Sequence, residues 1–123
     1  KVNFYAGVHI DSTIVPLRQG LAICNKPRVK SKRYLPPCMK DWEIIWVEDV
    51  TASVFYQYPY ASKWIGLNML VVNPTTVIMD TAQLELSNTL EKKGFTVIPH
   101  TLRHSRTLGG GHHCVTLDTW RED

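Results

Sequence analysis

Asn68-Met-Leu-Val-Val-Asn-Pro-Thr-Thr-Val-Ile-Met79 reads as two short apolar strands around a turn, and the residues that follow it decide the fold. Asn73-Pro74-Thr75-Thr76 supplies turn chemistry, because proline presets φ and asparagine bonds its own backbone. Asp80 with Gln83 three residues on resembles a capping box, so a helix is predicted from about Thr81 to Lys93, with Gly94 to end it. Phe95-Thr-Val-Ile98 then returns as a strand. The same order stands upstream: partial alternation from Val8 to Ile14, turn residues from Pro16 to Gly20, and the apolar run Leu21-Ala-Ile-Cys24. Pro36-Pro37 breaks the chain there, Cys38 to Trp42 suits a helical turn, and Glu43-Ile-Ile-Trp-Val47 reads as a buried strand. Two strand-strand-helix-strand units about 60 residues apart form an internal repeat, which favours a propeller-like or modular α/β assembly over a dinucleotide-binding sheet. The predicted modules span about 8–50 and 66–103. A further one starts at 107–123, with His112 to Trp120 as its first strand.

Length and composition bound the rest. The chain has 123 residues, 44% of them apolar, enough for one small domain and too few for two. No apolar run approaches the roughly 18 residues of a membrane span, and Lys1 opens nothing resembling a signal peptide, so the reading is a soluble protein with no membrane partner. A formal charge of +3 is modest. The basic segment Lys26 to Arg33 alternates with Pro27 and Val29, which reads as a solvated loop rather than a nucleic-acid stripe. Three cysteines without close spacing suggest reduced thiols in a reducing compartment, cytoplasmic or else mitochondrial.

Chemistry concentrates near the end of the chain, in Thr107-Leu-Gly-Gly-Gly-His-His-Cys-Val-Thr116. Gly109, Gly110 and Gly111 forgo side-chain burial, a cost that makes sense where the chain turns through positive φ or passes close to a neighbour. They deliver Cys114. A thiol becomes a useful nucleophile beside a base or an electropositive pocket. If this stretch is a strand, His113 points away from Cys114, so the partner is sought elsewhere, in His9-Ile-Asp-Ser-Thr13. Alternation there would set His9 and Asp11 on one face. Zinc is the rival use of His100, His104, His112, His113 and Cys114, but their spacing does not converge on one point, and no metal or cofactor is expected.

Taken together, His9-Ile-Asp-Ser-Thr13, Asn25 with Arg28, Ser62-Lys-Trp64 with Asn68, and Leu108-Gly-Gly-Gly-His-His-Cys114 resemble the C-terminal part of glycine amidinotransferase and related amidinotransferases of the guanidino-modifying, or pentein, superfamily. The resemblance runs from about His9 to Thr119. It implies a five-bladed α/β propeller, of which this chain would supply about two modules and the start of another, with the remainder of the domain as its partner and a homodimer possible. By matching motif, Cys114 would be the nucleophile that carries an amidino group from arginine, and His9 the acid and base. Asp11 would grip the guanidinium, while Arg28 and Ser62 would hold the amino-acid end of the donor. The substrates implied are arginine and an amine acceptor such as glycine. Water in place of the amine gives the hydrolase alternative, and a chain without turnover would be an interaction module. Ala61 precedes Ser62 where the family often has a second serine. In the family, the other guanidinium-holding carboxylate and the aspartate that orients the histidine come from upstream of the His-Ile-Asp motif.

Overall fold

The computed structural model describes residues 5, 7, 9–52 and 61–120. Two three-stranded sheets carry it, and both are built in the same way. In the first, β1 (Ile14–Arg18) and β2 (Leu21–Asn25) form an antiparallel hairpin, and β3 (Glu43–Val47) lies parallel to β2. Between them run a four-residue helix, α1 (Lys26–Val29), and two 3-10 turns at Lys32–Tyr34 and Pro37–Met39. In the second, β4 (Leu70–Asn73) and β5 (Thr76–Asp80) form the hairpin, α2 (Leu84–Lys92) follows, and β6 (Thr96–His100) returns parallel to β5. Strand orders β1-β2-β3 and β4-β5-β6 make the repeat explicit. The architecture is mixed α/β, one hairpin-helix-strand unit repeated twice.

Burial explains why each segment takes its place. All five residues of β2 are buried, as expected for a central strand covered on both faces. Leu21 and Ile23 join a core that spans both sheets, with Val15, Leu17, Met69, Val77, Met79, Leu90 and Phe95. Ala22 and Cys24 face the other way, onto Val29, Leu35 and Met39. Polar groups add to the seam between the sheets. The Arg18 guanidinium stacks 4.7 Å from the centroid of the Phe95 ring and donates to the Lys93 carbonyl at 3.0 Å, while Lys93 pairs with Glu43.

Five sequence expectations are corrected. The stretch expected to alternate from Val8 to Ile14 is not a strand: Val8 lies outside the described residues, Ile10–Ser12 forms a 3-10 turn, and β1 begins at Ile14. Pro16, read as a turn residue, sits inside β1, the edge of its sheet, where a missing N–H costs no ladder bond. The capping box is absent. Asp80 Oδ1 accepts from the Ala82 amide at 3.2 Å, and the Gln83 side chain instead pairs with the backbone of Thr51, donating at 2.6 Å and accepting at 3.0 Å. Residues 112–115 form turns, and 116–120 contain no strand. The basic segment is also ordered into α1 and a 3-10 turn, with Lys26 4.5 Å over the Trp46 ring and Lys32 donating to the Trp42 carbonyl at 2.6 Å.

Candidate active site

The site is assembled by three turns that approach from distant parts of the sequence. The first is the Ile10–Ser12 turn, closed by the Thr13 amide donating to the Ile10 carbonyl at 2.9 Å and the Thr13 hydroxyl donating to the His9 carbonyl at 2.6 Å. The 3-10 turn tips Asp11 inward while leaving Ser12 and Thr13 buried. The second is α1, whose cap is Asn25. Its buried side chain accepts from the Arg28 amide at 3.2 Å and donates to the Ser12 carbonyl at 3.3 Å, so one residue fixes both the start of α1 and the first turn. Arg28 then reaches back, donating to Ser12 Oγ and Thr13 Oγ1, both at 2.9 Å.

The third turn carries the thiol. α3 (Ser105–Leu108) ends at Gly109 with φ +80°, a left-handed cap that suits glycine. Gly111 has a different reason to be glycine, because a Cβ there would stand 2.6 Å from the side chain of Asn68. Asn68 clamps the turn: its carbonyl accepts from the His112 amide at 2.8 Å, and its Oδ1 accepts from the Cys114 amide at 3.0 Å. Positive φ and close approach, the two reasons the sequence offered for the glycine run, thus fall on different glycines.

His9, Asp11, Arg28, Ser62, Gly109 and Cys114 all line one cavity of about 380 Å³, together with Gly7, Ser12, Ala61, Ile65 and Asn68. Cys114 Sγ donates to Asp11 Oδ2 at 3.1 Å, across 103 positions of sequence. His113 Nδ1 lies 3.1 Å from the same oxygen. Ser62 caps the 3-10 turn Lys63–Leu67, accepting from the Trp64 amide at 3.3 Å, which turns it to the cavity wall. Gly110 faces Cys114 from within its own turn, where an added Cβ would meet Cys114 Cβ at 3.3 Å.

Electrostatics follow from this packing. Partial burial raises the Cys114 thiol above its ordinary pKa, and its bond to the Asp11 carboxylate raises it further. Partial burial also opposes ionisation of Asp11. Hydrogen bonds from Cys114, Asn68 and His113 outweigh it, holding that carboxyl below its usual range. Burial lowers Arg28, against the favourable charge of Asp11. The free site therefore holds a protonated thiol beside an ionised carboxylate.

Two neighbours of Cys114 and Asp11 escaped sequence reasoning. Asn68 stood only as part of a motif, and nothing in its own vicinity showed that it would clamp a turn more than forty residues away. His113 was expected to point away from Cys114 on the assumption of a strand. In the turn, His113 and Cys114 reach one carboxylate, while His112 points to His100, its Nε2 lying 3.2 Å from His100 Nδ1. Among the described residues, no group of three or more His, Cys, Asp or Glu side chains is placed to hold a metal ion.

No family model matches the chain. It is 47% identical over 120 residues to inosamine-phosphate amidinotransferase 1 of Streptomyces griseus, covering 97% of this chain and 34% of that protein. It is 29% identical over 123 residues to the mitochondrial glycine amidinotransferase of Xenopus laevis, covering 93% of this chain and 27% of that protein. The solved structure of an inosamine-phosphate amidinotransferase from Streptomyces griseus superposes with a TM-score of 0.88 at 44% identity, covering 98% of this chain and 35% of the other. The chain spans about a third of the length of the curated relatives it matches, and it is homologous to amidinotransferases over nearly all of its own length.

Proposed function

We propose that this homologue of the amidinotransferases contributes the nucleophile and the guanidinium grip of an enzyme that moves an amidino group from arginine to an amine through Cys114. The observation that carries the reading is the meeting of Cys114, Asp11 and His9 at one cavity, from opposite ends of the chain. A guanidinium is a delocalised cation and a poor electrophile until its plane is fixed. Asp11 can fix it through charge-assisted bonds to two of its nitrogens. Its arrival replaces the thiol on the carboxylate and places positive charge beside the sulfur, which offsets the two effects that keep the thiol protonated.

Sulfur then bonds to the guanidinium carbon, and the bond from that carbon to the side-chain nitrogen of arginine breaks. The thiol proton passes through His9 to the departing nitrogen, so ornithine leaves as a neutral amine and the cationic amidino group stays on Cys114. An acceptor amine reverses each event: its nitrogen bonds to the carbon, its proton returns through His9 to sulfur, and the C–S bond breaks. Arg28 and Ser62 line the same cavity, and they supply donors for the carboxylate end of arginine. Among the described lining residues Asp11 is the sole carboxylate.

Graded similarity supports one class of acceptor over another. Identity is 47% to the relative named for inosamine phosphate and 29% to the one named for glycine, which favours an aminated, phosphorylated cyclitol over glycine. The test uses a polypeptide of the relatives' full length that carries this sequence, supplied with arginine and either an inosamine phosphate, glycine or no amine. Ornithine and a guanidino-cyclitol phosphate are expected with the first. Citrulline released without any amine would replace transfer by hydrolysis, and equal use of glycine would remove the acceptor assignment.

A further inference from the structure

The mechanism above leaves His113 unused, although it stands next to the nucleophile. Asp11 Oδ2 receives both Cys114 Sγ and His113 Nδ1 at 3.1 Å, and the two donors come from adjacent residues of one turn. His112, on the other side of His113, points away to His100, so the convergence is specific to His113 and Cys114. Asp11 is mostly enclosed, its side chain 18% exposed, whereas that of His113 is 58% exposed. The imidazole therefore reaches the carboxylate from the solvent side of the turn.

We propose that His113 is a positioning residue, which keeps the Asp11 carboxylate turned toward the substrate when the thiol gives up its bond to that oxygen. The proposal rests on the amidino-transfer reading for its substrate and on the free-site geometry for its mechanism. In the free site, the thiol helps to fix the plane of Asp11. Attack by sulfur requires that bond to break, and a short side chain with a rotatable carboxylate then loses a contact at the moment its alignment matters. The Nδ1–H of His113 remains on Oδ2. The same sharing has a second consequence before substrate binds: a carboxylate oxygen divided between two donors holds each less firmly than it would hold one. His113 thus weakens the grip of Asp11 on the thiol proton. Arg28 interacts with the Asp11 carboxylate through its charge, and Arg18 and Asp118 line a cavity with Asp11 and His113.

Both consequences are measurable in the full-length polypeptide on a Cys38→Ser background, which removes the other exposed thiol. Iodoacetamide alkylation of Cys114 is followed against pH, and kcat and KM for arginine are measured separately. In His113→Leu, which has no donor, the alkylation profile is expected to move to higher pH, slowing the reaction about threefold at mildly alkaline pH. The kcat/KM for arginine is expected to fall about tenfold. His113→Asn keeps an N–H close to the position of Nδ1 and should recover most of both. Unchanged alkylation and kinetics in His113→Leu, or His113→Asn as impaired as His113→Leu, would overturn the proposal. A parent protein that forms no product from arginine with any amine would remove the amidino-transfer reading instead, while the alkylation profile would still report the coupling of His113 to the thiol.

Discussion

Cys24 and Cys114 are the same residue in two settings. Cys24 is fully enclosed in β2, and burial pushes its thiol up to about 12, so it is a packing residue. Cys114 is exposed at the end of a turn, and its thiol is raised first by partial burial and then by the Asp11 carboxylate. A negative neighbour disfavours thiolate, so removing that charge should lower the thiol pKa. Asp11→Asn is therefore expected to speed alkylation of Cys114 near neutral pH while arginine turnover falls by about a hundredfold or more, because the guanidinium loses its ionic grip. The two readouts move in opposite directions. Slower alkylation in Asp11→Asn would show that the carboxylate does not hold the thiol proton.

At the level of elements, α2 shows what local chemistry specifies. Its C-terminus is a Schellman motif: the Gly94 amide donates to the Glu91 carbonyl at 2.9 Å and the Phe95 amide to the Leu90 carbonyl at 3.0 Å, with Gly94 at φ +85°. Open space surrounds the position, so Gly94→Ala tests backbone conformation alone. It is expected to cost about 1 kcal/mol, read as a lower urea midpoint with an unchanged m-value in the full-length protein. The stop signal of α2 was legible because a glycine cap acts through its immediate neighbours. The start was not, because Gln83 is bound to Thr51, a partner that only tertiary folding supplies. Strands behaved in the same way. Glu43–Val47 was read with its observed bounds, but the buried strand expected there is buried only at Val47, because β3 is the edge of its sheet, whereas the short period of Ile10–Ser12 imitates alternation over a few residues. The run from His112 to Trp120 has strand-like composition, but the clamp on Asn68 bends its first part into turns.

For the whole molecule, the repeated hairpin-helix-strand unit accounts for the meeting of remote residues. Each unit begins with a turn before its first strand, Ile10–Ser12 in one and Lys63–Leu67 in the other, and these turns pack at the same end of the two sheets. The shared core of Val15, Leu17, Ile23, Met69 and Met79 holds the sheets together beneath them. The cavity residues could be listed from sequence by their resemblance to a family motif, but their convergence depends on this docking of two modules. Periodicity alone did not give that arrangement. On the proposed function, docking of the two modules makes Cys114 an amidino carrier. Mass spectrometry of a full-length polypeptide carrying this sequence, after incubation with arginine and no acceptor, tests it most directly. An amidino adduct on the peptide containing Cys114, absent in Cys114→Ser and discharged by an amine acceptor, is the predicted result; an adduct on Cys24 or Cys38, or unmodified Cys114 while arginine is consumed and transferred, would contradict it.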